Sequence, residues 1–224
     1  HNDPAGEVVR HGHADGLGVV LWAAGREVLV GGGRSTFEPD AWGRYFRGAR
    51  SRSTVIVDGL SPQIVGATLR NLLPDSYTRA EGRLSGAEAL EASHTGTARL
   101  PSPAILFRRV ELGADGSVIL EDRLEGPGEH GVEILFQLGA VRVAREGTAS
   151  RFRLFDAENR ETALVEFESS AALPFDSRTG GALPEGGGWH SRRYGDRMPG
   201  ATLVVACVMR GSTNVRTRFS FPPA

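Results

Sequence analysis

The sequence predicts an all-β fold of antiparallel strands with little helix, and three observations predict it. Short apolar or alternating runs recur along most of the 224 residues, they are punctuated by Gly, Pro, Asp and Asn, and 30 glycines and 12 prolines supply many turns. With 40% hydrophobic and 24% charged residues the composition is that of a globular chain long enough to bury a core, which excludes a disordered tail.

Taken in chain order, the runs predict strands over 18–23, 27–30, 54–57, 105–112, 117–124, 131–138, 140–144, 151–155, 162–168, 201–208 and 215–221. Ala24-Gly25 joins the first pair, and Ala114-Asp115-Gly116 and Glu158-Asn159 join later ones. Gly or Asn at these places supplies the positive φ that hairpin turns demand. One or two helical turns are expected over 39–46, where Pro39 opens the segment and Trp42 is followed by Tyr45 and Phe46 at three-to-four spacing. Residues 170–200 hold Gly180-Gly181, Gly186-Gly187-Gly188 and three prolines, so a long surface loop with few strand residues is expected. No period of about 20 to 50 residues repeats, which disfavours a solenoid or propeller.

Formal net charge is −1, so the chain as a whole lacks the basic excess of a nucleic-acid-binding domain, although a local basic patch stays open. All 26 basic residues are arginine, a pattern read as the coding bias of a GC-rich genome. Cys207, the only cysteine, sits in the apolar run 202–209 and is read as a small core residue that can form no intrachain disulfide. No apolar run approaches the roughly 18 residues that span a bilayer, and no signal peptide opens the chain. Neither nucleic acid nor membrane is expected as a partner. Because it begins at His1 rather than Met, the chain is read as a processed or excised piece, periplasmic or secreted if its parent carries a signal peptide.

Several residues invite chemistry, each with a plainer alternative. His11, His13 and Asp15 alternate, so an extended segment puts them on one face. They read either as a metal site or as two hydrogen-bonded histidines beside a turn-capping aspartate. Arg44, Arg47, Arg50 and Arg52, interleaved with Tyr45 and Phe46, form either a stripe gripping sulfate or carboxylate groups or a surface ladder paired with acids. Tyr45 either contacts substrate or packs in the core. Trp189 and Tyr194 stack on a sugar ring or pin the glycine-rich loop to the sheet, and pinning is the preferred reading. His94, His130 and His190 lack metal-like spacing and are read as structural, and His1 as part of a frayed terminus.

An ordered series of motifs carries a resemblance. Arg10-His11-Gly12-His13-Ala14-Asp15-Gly16-Leu17-Gly18 is followed by Val28-Leu29-Val30, WGRYFR at 42–47, STVIVDG at 53–59 and Ser93-His94-Thr95-Gly96. Phe107 to Leu112, EDRLEG at 121–126 with Glu129-His130, and GWHSRRYG at 188–195 complete it. Over nearly its whole length the chain resembles the C-terminal β-sandwich domain of bacterial heparinase II/III-like polysaccharide lyases. Members of that family join an N-terminal α/α toroid to an antiparallel β-sandwich and cleave uronic-acid polysaccharides by β-elimination in the groove between the two.

The resemblance implies that residues 1–224 are the sandwich domain, that the toroid lies outside this chain, and that the chain alone is inactive. Its implied partners are an acidic polysaccharide and that toroid. It implies further that His11 projects into the cleft as a catalytic or charge-neutralising group, with Tyr45 as a cleft tyrosine; Arg44, Arg47 and Arg52 are expected as substrate contacts on the chemistry of their guanidinium forks. His13 matches a metal ligand of the family. The Asp and His that complete the family set correspond here to Gly31 and Arg52, so two of three ligands are replaced. Zinc needs three or four donors in fixed geometry, and a guanidinium stays protonated and repels a dication. No cofactor is therefore expected, and Arg52 is expected to stand in for the metal as the local positive charge. The alternative is a non-catalytic carbohydrate-binding or structural domain that kept the fold after losing its chemistry.

Overall fold

The computed structural model describes residues 12–62, 80–84, 88–147, 150–169, 172, 174–179, 187–211 and 213–223. Two antiparallel sheets dominate it. The larger has eight strands in the order β4 (Ala80–Leu84), β5 (Ala89–His94), β6 (Ile105–Leu112), β7 (Val118–Glu125), β16 (Asn214–Ser220), β11 (Glu161–Ser169), β10 (Arg151–Phe155) and β9 (Arg142–Arg145). The smaller has four, in the order β12 (Phe175–Thr179), β15 (Ala201–Arg210), β8 (Glu129–Gly139) and β3 (Val55–Val57). Two short ribbons stand beside them, β1 (Leu21–Ala23) with β2 (Arg26–Leu29) and β13 (Trp189–His190) with β14 (Met198–Pro199).

The period-two alternation of a strand explains the layering. On β8, Val132, Ile134, Phe136 and Leu138 enter the main core, where Phe136 meets Phe167 and Phe219 of the larger sheet at ring separations of 5.7 and 5.6 Å. Leu203, Val205 and Met209 of β15 join them. The chain is thus a β-sandwich. Leu135 and Val204 belong instead to a second cluster with Ala14, Ala49 and Ile56, on the outer face of the smaller sheet. On that side Ala14 and Ala49, from the residues before β3, lie with Leu135, Ile56 and Val204, whereas the β1–β2 hairpin puts Val28 and Leu29 into the main core.

The segment before β3 is built as its residues dictate. Ala24 and Gly25 take φ of 48° and 73°, the left-handed pair of a tight hairpin turn between β1 and β2. The single α-helix among the described residues, α1 (Ala41–Arg47), is capped by Asp40, whose Oδ1 accepts from the Gly43 amide at 2.7 Å. Phe46 and Tyr45 are the buried aromatics of this helix. No helix among the described residues is long and apolar enough to cross a membrane.

Each of the eleven predicted strands has a counterpart, but the described parts of residues 170–200 are less loop-like than expected. Phe175–Thr179 pairs with β15, and Trp189–His190 pairs with Met198–Pro199. The β4–β5 hairpin was not expected either.

Candidate functional site

The loop carrying His13 and Asp15 is fastened on several sides. The Ala14 amide donates to the Arg47 carbonyl at 2.8 Å, the Val19 amide to Ser53 at 3.1 Å, and the Thr54 hydroxyl to the Gly16 carbonyl at 2.6 Å. Beneath it, Arg108 donates from Nη1 to the carbonyls of Leu17 and Ser53, both at 2.9 Å. The same guanidinium grips Asp122 with two hydrogen bonds of 2.7 and 3.0 Å, and these side chains are 2% and 0% exposed. A buried ion pair in the larger sheet thereby sets the height of the loop and of the chain entering β3.

Arg52 is buried behind that loop, and its Nη2 donates to the carbonyls of Gly33 and Phe46, both at 2.8 Å. Its Nε is buried with no hydrogen-bond partner among the described residues. Burial lowers the guanidinium's pKa, Asp15 and Tyr45 oppose that shift, and Arg34 adds to it. Burial and the charge of Arg47 lower Arg34 as well. Arg47 Nε is also buried with no hydrogen-bond partner among the described residues. Arg34, Arg47 and Arg52 therefore form a like-charge cluster with Asp15 as the carboxylate that counters Arg52.

The glycines before Arg34 make this approach possible. A Cβ on Gly32 would lie 2.0 Å from the Ser51 carbonyl oxygen, and one on Gly33 would lie 1.7 Å from that of Ser191. A Cβ on Gly31 would stand 4.0 Å from Arg52 Nη1, so positions 31 and 52 are neighbours in space.

Tyr45 is 6% exposed and its hydroxyl is committed to Trp189: it donates to the Trp189 carbonyl at 3.0 Å and accepts from the Trp189 amide at 3.1 Å. Burial pushes its pKa up to about 12 against the opposing pull of the Trp189 hydrogen bond and of Arg52. Gln137 donates to the same carbonyl at 2.8 Å, and the Trp189 ring meets Trp42 edge-on at 5.2 Å. Trp189 thus pins its segment to β8 and α1. Tyr194 stacks on Phe37 at 5.7 Å and stays 64% exposed.

The arginine stripe divides. Arg44 is exposed and donates to the Pro39 carbonyl at 3.1 Å, while Arg50 grips Glu133 at 2.9 and 3.0 Å. Arg47 and Arg52 come together near the half-buried His13, joined by Arg34, which sequence reasoning did not single out. His11 lies outside the described residues. His94, His130 and His190 are all buried: His94 Nδ1 accepts from the Gly96 amide at 3.0 Å, and His130 Nδ1 faces Asp58 at 2.7 Å. Among the described residues no three of His, Cys, Asp or Glu gather in a way that would hold a metal ion.

Fold and site define a class: a two-sheet antiparallel sandwich carrying a histidine-aspartate loop and an arginine cluster outside its smaller sheet. A family model described as heparinase II/III-like, C-terminal, matches residues 2–219, and the chain belongs to that family. Solved structures similar to it include three heparin-lyase structures. A crystal structure of heparinase III aligns with a TM-score of 0.69 at 14% identity, over 92% of this chain and 29% of that one. The heparan sulfate lyase HepC from Pedobacter heparinus aligns with a TM-score of 0.71 at 14% identity, over 95% and 31%. A second heparinase III gives 0.69 at 11% identity, over 94% and 30%. At these identities the likeness is one of fold, that of the heparinase III C-terminal domain, and the chain spans about 30% of the length of these relatives. No match is found among curated protein sequences.

Proposed function

We propose that this chain is the sandwich part of a polysaccharide lyase that cleaves a uronic-acid-containing acidic glycan by β-elimination, completed by an α/α toroid domain of the same protein. The observation that carries the reading is the cluster of Arg34, Arg47 and Arg52 beside the His13–Asp15 loop. β-Elimination removes the C5 proton of a uronate, forms the C4–C5 double bond and expels the O4 leaving group with a proton. The C5 proton becomes acidic only when the adjacent carboxylate is neutralised. Guanidiniums crowded against one another gain by receiving an anion. Arg47 and Arg34 are half-buried and suited to contact it, while Arg52 supplies a fixed positive field from beneath. His11 is proposed as the group that neutralises the carboxylate or moves the proton. Arg44 is proposed to contact substrate farther along the helix, and Tyr45 to shape the floor through Trp189.

The residues do not fit the family's zinc. Position 31 has no side chain, and the guanidinium of Arg52 lies in the adjoining space, held by two carbonyls. Arg52 is proposed as the cation in the metal's place. The same observation favours a second reading, in which the domain binds acidic glycan without turning it over. Export to the periplasm or the medium accords with a polymeric substrate and is part of the proposal.

Incubating the full-length protein with heparan sulfate, hyaluronan and alginate, and following ultraviolet absorbance of the unsaturated product, tests the reaction. Product from at least one glycan is expected, with a large loss in His11→Ala. Binding without product establishes the second reading, and a His11→Ala rate equal to wild type removes His11 from the mechanism.

A further inference from the structure

A groove of about 520 Å³ opens between the β1–β2 hairpin, the end of β8, the β10–β11 turn and the β13–β14 ribbon. Its apolar lining includes Val30, Leu138, Val141 and Met198. Its walls carry Arg26, Arg160 and Arg192 against Glu27, Asp156 and Glu158, three charges of each sign. Two pairs cross the opening, Arg26 with Asp156 at 3.4 Å and Arg192 with Glu27 at 2.6 Å, while Arg160 pairs with Asp156 and Glu158 of its own turn at 2.9 and 3.0 Å. Trp22 lines the groove and is 65% exposed. Val20, on the same outward face of the hairpin, is 66% exposed and approaches the Cβ position of Gly31 at 3.7 Å. His190 also lines the groove. It is 3% exposed, and its Nδ1 has no hydrogen-bond partner among the described residues.

We propose that this groove binds a neutral pyranose unit of a glycan, its C–H face on the Trp22 indole and its hydroxyls on the paired side chains and His190. A sugar ring offers one weakly polar face and a rim of groups that both donate and accept. An exposed indole beside planar guanidinium and carboxylate forks matches that division. The ion pairs hold the forks in place before a ligand arrives, so little side-chain freedom is lost on binding, and their unused N–H groups and lone pairs face hydroxyls. Charge balance selects the ligand. A sulfate or carboxylate entering here meets three acids along with the three arginines. Volume agrees, since pockets for small ligands start at about 300 Å³. The inference rests on the groove alone and does not require the elimination reaction.

Calorimetric titration of the full chain with cellotetraose, maltotetraose, mannotetraose and tetra-N-acetylchitotetraose tests it, with a fully sulfated heparin tetrasaccharide in parallel. Saturable binding of at least one neutral tetrasaccharide is expected, with an affinity that salt leaves nearly unchanged. Trp22→Ala and Arg192→Gln alter exposed side chains and so keep the fold, which a thermal melt verifies; each is expected to weaken that binding by about tenfold or more. Binding of none of the four overturns the proposal. Affinity equal to wild type in both variants, or binding of the sulfated ligand alone with loss at high salt, overturns it as well. Product formation from acidic glycans, measured separately, reports on the lyase reading and leaves this result unaffected.

Discussion

Replacing Arg108 with methionine keeps most of the side chain's volume and removes one charge from the floor of the site. In the native chain that charge faces Asp122 through bonds of 2.7 and 3.0 Å, with both groups almost wholly out of water. Leaving one member of such a pair uncompensated costs about 3–5 kcal/mol. The Leu17 carbonyl loses a donor too, whereas the Ser53 carbonyl keeps the Val19 amide. These losses share one site and do not add in full, so a total near 4 kcal/mol is expected. For a chain of this size each kcal/mol lowers Tm by about 2–4 °C, and the drop should be about 8–16 °C. Urea and thermal unfolding measure it. The double variant Arg108→Met with Asp122→Leu should regain much of the loss, because an apolar pair of similar volume carries no stranded charge. A single variant within about 0.5 kcal/mol of wild type, the range of a surface change, would refute the reasoning. So would a double variant no better than the sum of its parts.

His94 ties stability to pH. Burial first, then the charges of Arg108 and Arg99, hold its pKa down to about 4. Its unfolded value is about 6.5, so between these limits the unfolded chain binds more protons, and stability falls as pH drops from about 6.5 toward 4. The loss attributable to this ring is up to about 3 kcal/mol. Burial also lowers His190, so His94→Asn, which keeps an acceptor for the Gly96 amide, should flatten the Tm-against-pH slope without abolishing it; an unchanged slope removes His94 as the cause. At the proposed cation site, elemental analysis of the wild-type chain should find far less than one zinc per molecule, and Gly31→Asp combined with Arg52→His should raise this to one. Stoichiometric zinc in wild type defeats the idea that Arg52 replaces the metal.

Much of the sandwich was legible because its strands obey one rule. Val132, Ile134, Phe136 and Leu138 alternate with outward residues, and Ala24-Gly25 marks the turn at which the first hairpin closes. The β4–β5 hairpin escaped because Ala80–Leu84 and Ala89–His94 contain no β-branched or aromatic residue to mark a half-buried strand. Phe175–Thr179 and the β13–β14 ribbon were hidden by the surrounding glycines and prolines, whose punctuation outweighed runs of five and two residues.

The site was harder to read because its charges are contributed by four separate stretches. His13 and Asp15 come from the loop before β1, Arg34 from the glycine run, Arg47 from the end of α1 and Arg52 from the entry to β3. A period-based reading of 44–52 treats Arg44, Arg47, Arg50 and Arg52 as one stripe. The fold sorts them by what each can reach: Arg50 finds Glu133 and Arg44 the Pro39 carbonyl, while Arg52 turns inward to Gly33 and Phe46. That sorting depends on Gly32 and Gly33, whose missing side chains let residues 31–34 close over Arg52. A run that reads as a flexible turn therefore acts as a packing device. Enlarging Gly33 would push its carbonyl off the guanidinium before it disturbed any strand of the larger sheet.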